Sequence, residues 1–152
     1  MEKMFSSPES FRFPDQRQET IYRELLELIG PGPAAFFRDA CWMMANPHAL
    51  KTTAHLVAHC LREIESALRS VLKPITLEQE SSEAWTECKS TQKQKSQIRQ
   101  ILDSLGIPEN DPAAKAWFEL ADRLHRIAHR KGLEFRPLSS IQELWERASV
   151  LL

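Results

Sequence analysis

The sequence feature that most constrains the fold is a stripe of apolar residues between Pro47 and Lys73. Its members alternate spacings of four and three residues: Leu50, Ala54, Val57, Leu61, Ile64, Leu68 and Val71. This spacing places all of them on one face of an α-helix, whereas a half-buried strand would show a period of two. The segment therefore predicts one long amphipathic helix.

Helix-breaking residues divide the rest of the chain into further segments with helical periodicity. Gly30 to Pro33, Asn46-Pro47, Pro74, Gly106 and Lys131-Gly132 end the first five segments. Asp111-Pro112 supplies an N-cap and a first-turn proline for the fifth segment. We predict helices over about 15–29, 33–45, 47–73, 85–105, 112–131 and from Ser139 onward, with a polar loop at 78–83.

Composition favours an all-α fold. A single Tyr, four Gly and few β-branched residues leave little material for a sheet, while Ala, Leu, Glu, Arg and Gln favour helix. The 152 residues suit one core. We predict a bundle of five or six helices over 17–152, with helices three and five as its central antiparallel pair, preceded by an arm at 1–16. The apolar end at 150–152 suggests a domain excised from a longer protein, or a dimer contact.

Charge, cysteines and motifs exclude several classes of protein. Twenty Lys and Arg against 21 Asp and Glu leave no overall basic excess for general nucleic-acid coating. Three cysteines without a CxxC pair, no signal-like N-terminus and no long apolar run predict a cytoplasmic protein with no membrane partner. Phosphate-cradling, dinucleotide-binding, nucleophile-elbow and HExxH motifs do not occur, so we expect no cofactor.

Four of the five histidines form two HxxxH pairs, His55 with His59 and His125 with His129. Each pair lies on one helix face, and Arg62 continues the first polar stripe. If helices three and five packed with both stripes inward, the four imidazoles would satisfy a tetrahedral metal such as zinc. The commoner role for helical histidines is to border the core and bond backbone or carboxylate groups. We expect no stoichiometric metal.

A second pattern lies in the segment 123–130, RLHRIAHR, where an arginine precedes a histidine near a helix end. It resembles the Rx4-6H motif of the HEPN superfamily, small helical bundles of bacterial toxins and antiviral systems. The resemblance implies metal-independent RNA cleavage, in which His129 moves the proton of a ribose 2′-hydroxyl and Arg123 stabilises the phosphate charge. It also implies a homodimer with a composite site. Leu124 stands where that family usually has a polar residue.

The cations near this motif form a local basic patch, in which Arg126 and Arg130 join His125 as candidate RNA-binding residues, with His55, His59 and Arg62 as further candidates. The alternative is a solvated helix end whose cations complement the helix dipole. The segment 54–69 also looks like part of an uncharacterised bacterial family in which such a helical domain precedes other regions. Three functions therefore stay open: a HEPN-like RNase or its degenerate RNA-binding or dimerising form, a non-catalytic protein assembly module, and a histidine-rich metal-binding bundle.

Overall fold

The computed structural model describes residues 10–72, 90–128 and 138–152. Within them it contains α-helices and a π-helical turn, and no strand. The helices are α1 (Gln16–Glu24), α2 (Pro31–Ala45), α3 (Thr53–Leu72), α4 (Ser90–Ser104), α5 (Pro112–Ala128) and α6 (Leu138–Leu151), and the π-helical turn is Leu25–Ile29. The predicted loop at 78–83 and the end of the fifth predicted helix lie outside the described residues.

The all-α bundle predicted from the sequence is confirmed. Helix α3 is central, since it packs against α2, α4, α5, α6 and the π-helical turn. Trp117 in the second turn of α5 meets Glu65 in the C-terminal half of α3, as expected for an antiparallel pair. No helix in the described part of the chain combines the length and apolarity needed to cross a membrane.

Two helix starts differ from the prediction: helix α2 begins at Pro31, where about residue 33 was predicted, and helix α3 begins later than predicted. Helix α3 begins at Thr53, not at Pro47, because residues before it form turns in which Ala49 N–H bonds the Asn46 carbonyl. The buried Thr53 hydroxyl lies 3.0 Å from the Pro47 carbonyl oxygen and 2.9 Å from that of Leu50. The buried hydroxyl thus donates to nearby backbone carbonyl groups, a pattern that is common for Ser and Thr near the start of a helix. Leu50 therefore lies before the helix and is exposed.

The first helix changes its winding before it ends. The Gly30 N–H donates to the Leu25 carbonyl oxygen at 2.9 Å, five residues back, which is the hydrogen bond of a π-helix. Gly30 itself has a φ of 137°, a backbone conformation that residues with a side chain rarely adopt. The chain can consequently turn at once into α2, whose proline-containing first turn starts at Pro31.

The interior is divided into two apolar clusters. The main cluster joins α1, α2, α3, α5 and α6 around the fully buried Phe37, whose ring stacks on Trp145 with 5.8 Å between centroids. Phe11 and Phe13, in the arm that precedes α1, also pack against this cluster. A smaller cluster lies between α4 and α5 and includes Ile98, Leu102, Ala114 and Ala121. Helix α4 therefore shares apolar contacts with α5, and meets α3 through the polar side chains described below.

Candidate functional site: an apolar groove with a buried glutamate

A groove of about 260 Å³ opens between the ends of several helices. Its wall on one side is formed by the end of α1, with Ile21 and Glu24, and by the π-helical turn, with Leu25, Leu28 and Ile29. Helices α3, α5 and α6 supply the other walls. Leu28 is 72% exposed and Leu72, on the opposite wall, is 39% exposed. Leucine side chains thus remain in contact with water at the rim of an otherwise apolar depression. Exposed apolar patches of this kind commonly mark binding surfaces.

The groove contains one buried charged side chain, Glu65, which is 4% exposed. Its Oε1 accepts from Arg69 Nε at 2.8 Å and from Trp117 Nε1 at 3.1 Å, and its Oε2 accepts from Gln94 Nε2 at 3.3 Å. Arg69 also donates to Gln97 Oε1 at 2.8 Å. This Glu65 network joins α3 to both α4 and α5. Because each buried polar group has a partner, the carboxylate is tolerated beside apolar walls.

The network gives the groove a fixed wall. Trp117 lines the groove while its indole N–H is held by Glu65, so its ring orientation is set by a hydrogen bond as well as by packing. Arg69, only 15% exposed, is held by Glu65 and Gln97 together. Side chains that are already fixed lose little conformational entropy when a ligand binds, so the entropic cost of binding is smaller.

Two of the arginines predicted to contact RNA, Arg123 and Arg126, lie in the C-terminal half of α5 and are paired with carboxylates. Arg123 reaches Glu143 of α6 at 3.4 Å, and Arg126 reaches Asp122 at 2.7 Å. Both arginine side chains have solvent access, and that of Arg126 is 74% exposed. Arginine near Glu143 lowers the pKa of that carboxyl group, chiefly through the hydrogen bond and charge of Arg123. His129 and Arg130 lie outside the described residues.

Three of the four paired histidines, His55, His59 and His125, lie among the described residues. His59 is exposed, and its ring meets Phe36 edge-on with 6.1 Å between centroids. His55, Arg62 and His125 are half-buried. Over 10–72, 90–128 and 138–152, no three His, Cys, Asp or Glu side chains are placed to hold a metal ion. The predicted convergence of four histidines includes His129, so that hypothesis stays a prediction.

The two described cysteines have no features of a reactive thiol. Burial raises the pKa of Cys41 to about 12. Burial also raises the pKa of Cys60 to about 11, with a smaller contribution from the negative charge of Asp39. Since the thiolate is the nucleophile, both side chains behave as small apolar groups at neutral pH.

Sequence reasoning did not identify Glu65, although a signal for it is present. Glu65 follows Leu61 by four residues and precedes Leu68 by three, so it lies on the apolar stripe and not beside it. Arg69 follows Glu65 at the i+4 spacing of an ion pair. An ionisable residue within an apolar stripe, with an opposite charge one turn away, indicates a buried pair.

Comparison with known proteins adds no relative from which a role could be transferred: no family model, curated protein or solved structure matches this chain. The HEPN resemblance is neither supported nor contradicted by these comparisons. The groove, the Glu65 network and the paired arginines are therefore interpreted from their own chemistry.

Proposed function

We propose that the chain is a non-catalytic helical module that binds a partner protein through the apolar groove. The observation that carries this proposal is the set of solvent-exposed leucines around a groove whose inner wall is fixed by the Glu65 network. A groove among helices accepts the apolar face of an amphipathic helix, whose anchors recur at i, i+3, i+4 and i+7.

The open rim favours a protein segment over a small molecule. Small ligands are usually enclosed in pockets of roughly 300–1,000 Å³ that bury most of their surface. The volume of this groove, about 260 Å³, is close to the lower end of that range, so the open rim decides: the wall residue Leu28 is 72% exposed. A helix lying across the rim would cover Leu28 and Leu72 while inserting one or two side chains into the groove.

The test is a titration with a synthetic, uncharged amphipathic helix that carries leucine at those four positions. Binding is followed by NMR through the indole N–H signal of Trp117, assigned with the variant Trp117→Phe. We expect this signal to shift, and Leu28→Glu to weaken binding about tenfold or more, because it replaces a contact that buries a leucine. Val150→Glu is the matched control, since Val150 is 74% exposed and does not line the groove. An unchanged Trp117 signal at saturating peptide, or equal losses in the two variants, would refute the proposal.

The second candidate is a HEPN-like RNase or RNA-binding domain. Its supporting observation is that Arg123 and Arg126 lie at the surface of α5 and pair with carboxylates that solvent also reaches. Phosphate oxygens can compete for such guanidinium groups. The test is cleavage of single-stranded RNA in the presence of chelator, by the unmodified chain and by Arg123→Ala and His129→Ala. Cleavage lost in both variants would establish the activity, and intact RNA with all three proteins would exclude it.

A further inference from the structure

The charge at the edge of the groove indicates what kind of segment it accepts. Two charged side chains line the groove in the part of the chain that the structure describes, and both are glutamates. Glu65 is already neutralised by Arg69 and by its other donors. Glu24, at the last position of α1, is exposed and makes no ion pair with a described residue.

The backbone adds negative potential beside Glu24. The π-helical turn that follows it ends at Ile29, and the carbonyl groups at a helix C-terminus carry a partial negative charge. Leu28 and Ile29, which belong to this last turn, line the groove. By contrast, Arg17 donates to the Ser149 carbonyl oxygen at 2.7 Å, so the end of α6 already has a cation. The edge formed by Glu24 and the π-helical turn has no such cation among the described residues.

We infer, on the basis of the function proposed above, that the partner of this groove is a basic amphipathic helix. In this helix Lys or Arg lies next to the apolar residues that enter the groove. Leucine side chains would occupy the apolar walls, while a neighbouring cation would reach Glu24 and the carbonyl groups of the π-helical turn. A cation placed there gains chiefly from Glu24, because the N-terminus of α2, which begins at Pro31, offsets part of the negative potential of the π-helical turn. The cation also stays at the rim, so it is not fully desolvated.

Two synthetic helices with the same leucines test this inference. One carries lysine at the positions flanking the leucines, and the other carries glutamate at those positions. Both are titrated into the full chain and followed through the Trp117 indole signal. We expect the lysine peptide to bind at least about threefold more tightly at low salt, and the difference to shrink as salt screens the rim.

Charge reversal at the rim locates the effect. Glu24→Lys should remove or invert the preference for the lysine peptide, while Glu146→Lys, an exposed position on α6 that does not line the groove, should preserve it. Equal binding of both peptides to the unmodified chain would overturn the inference and leave the groove proposal standing. Failure of every peptide, including the uncharged one, would overturn both. Self-association that Leu28→Glu abolishes and that displaces the peptides would identify a second copy as the occupant and would also overturn the inference.

Discussion

Removing the carboxylate of Glu65 should destabilise the fold far more than removing a similar carboxylate at the surface. Glu65→Ala takes away the acceptor for Arg69, Trp117 and Gln94. Breaking a buried ion pair by deleting one partner costs about 3–5 kcal/mol. Arg69 keeps Gln97 and is 15% exposed, so part of its charge can be resolvated. We therefore expect a loss near the lower limit, about 3 kcal/mol of unfolding free energy.

The matched control is Glu19→Ala. Glu19 and Arg23 have the same i, i+4 spacing, but their side chains are 58% and 65% exposed and lie 3.6 Å apart. Such a pair contributes about 0.3–0.5 kcal/mol. Urea unfolding followed by circular dichroism measures both losses, with the slope of the transition checked for constancy. If Glu65→Ala costs no more than Glu19→Ala, the Glu65 network does not stabilise the contact among α3, α4 and α5.

Three further predictions concern local features. Alkylation at neutral pH, read by peptide mapping, should leave Cys41 and Cys60 unmodified until denaturant is added. Burial raises both thiol pKa values above 9.0, the value of an exposed thiol. The contribution of the two thiols to the free energy of unfolding is therefore complete below pH 9.0 and is lost as the pH rises toward 11 and 12. Gly106→Ala should cost about 1 kcal/mol in thermal or urea unfolding, because its φ of 68° suits glycine, and an unchanged midpoint would contradict this. NMR titration should give Glu143 a pKa below 4.5, and this pKa should rise in the variant Arg123→Ala. The ion pair between Arg123 and Glu143 therefore stabilises the fold above pH 4.5, and this contribution is lost as the pH falls through the lowered pKa.

The fold could be predicted because it depends on local patterns. Each helix is specified by residues that are neighbours in the sequence. The apolar stripe predicts α3, and Asp111-Pro112 predicts the start of α5. The end of α4 is similarly local: Ile107 N–H bonds the Leu102 carbonyl and Gly106 N–H bonds the Asp103 carbonyl, which is the Schellman motif expected of a glycine there.

The groove could not be predicted, because it depends on distances between elements far apart in sequence. Trp117 is 52 residues from Glu65, and an apolar stripe alone does not show which tryptophan reaches a buried acceptor. The π-helical turn was also missed. Residues 25–29 have an ordinary helical apolar pattern, and the bond from Gly30 to Leu25 follows from how the chain enters α2. Periodicity therefore identified the helices, and only their packing revealed the site.

The ion pair between Arg123 and Glu143 allows the RNA hypothesis to be tested without relying on catalysis. Glu143 is shared, since Arg147 lies 3.0 Å from its Oε1, and its side chain is 55% exposed to solvent. An ion pair between exposed side chains contributes little to stability, so a phosphate can displace Glu143 from Arg123 at small cost. Neutralising Glu143 should accordingly make Arg123 more available to RNA.

The variant Glu143→Gln should therefore tighten binding of single-stranded RNA by about two- to fivefold and steepen its salt dependence, if Arg123 contacts phosphate. Glu109→Gln is the control, because Glu109 is exposed, pairs with Arg99 at 3.1 Å and shares no ion-pair partner with Arg123. Fluorescence anisotropy with labelled RNA measures both variants. If the two variants bind RNA equally, Arg123 does not contact phosphate and acts as a structural cation between α5 and α6. If neither the unmodified chain nor the variants bind RNA, the RNA hypothesis is wrong.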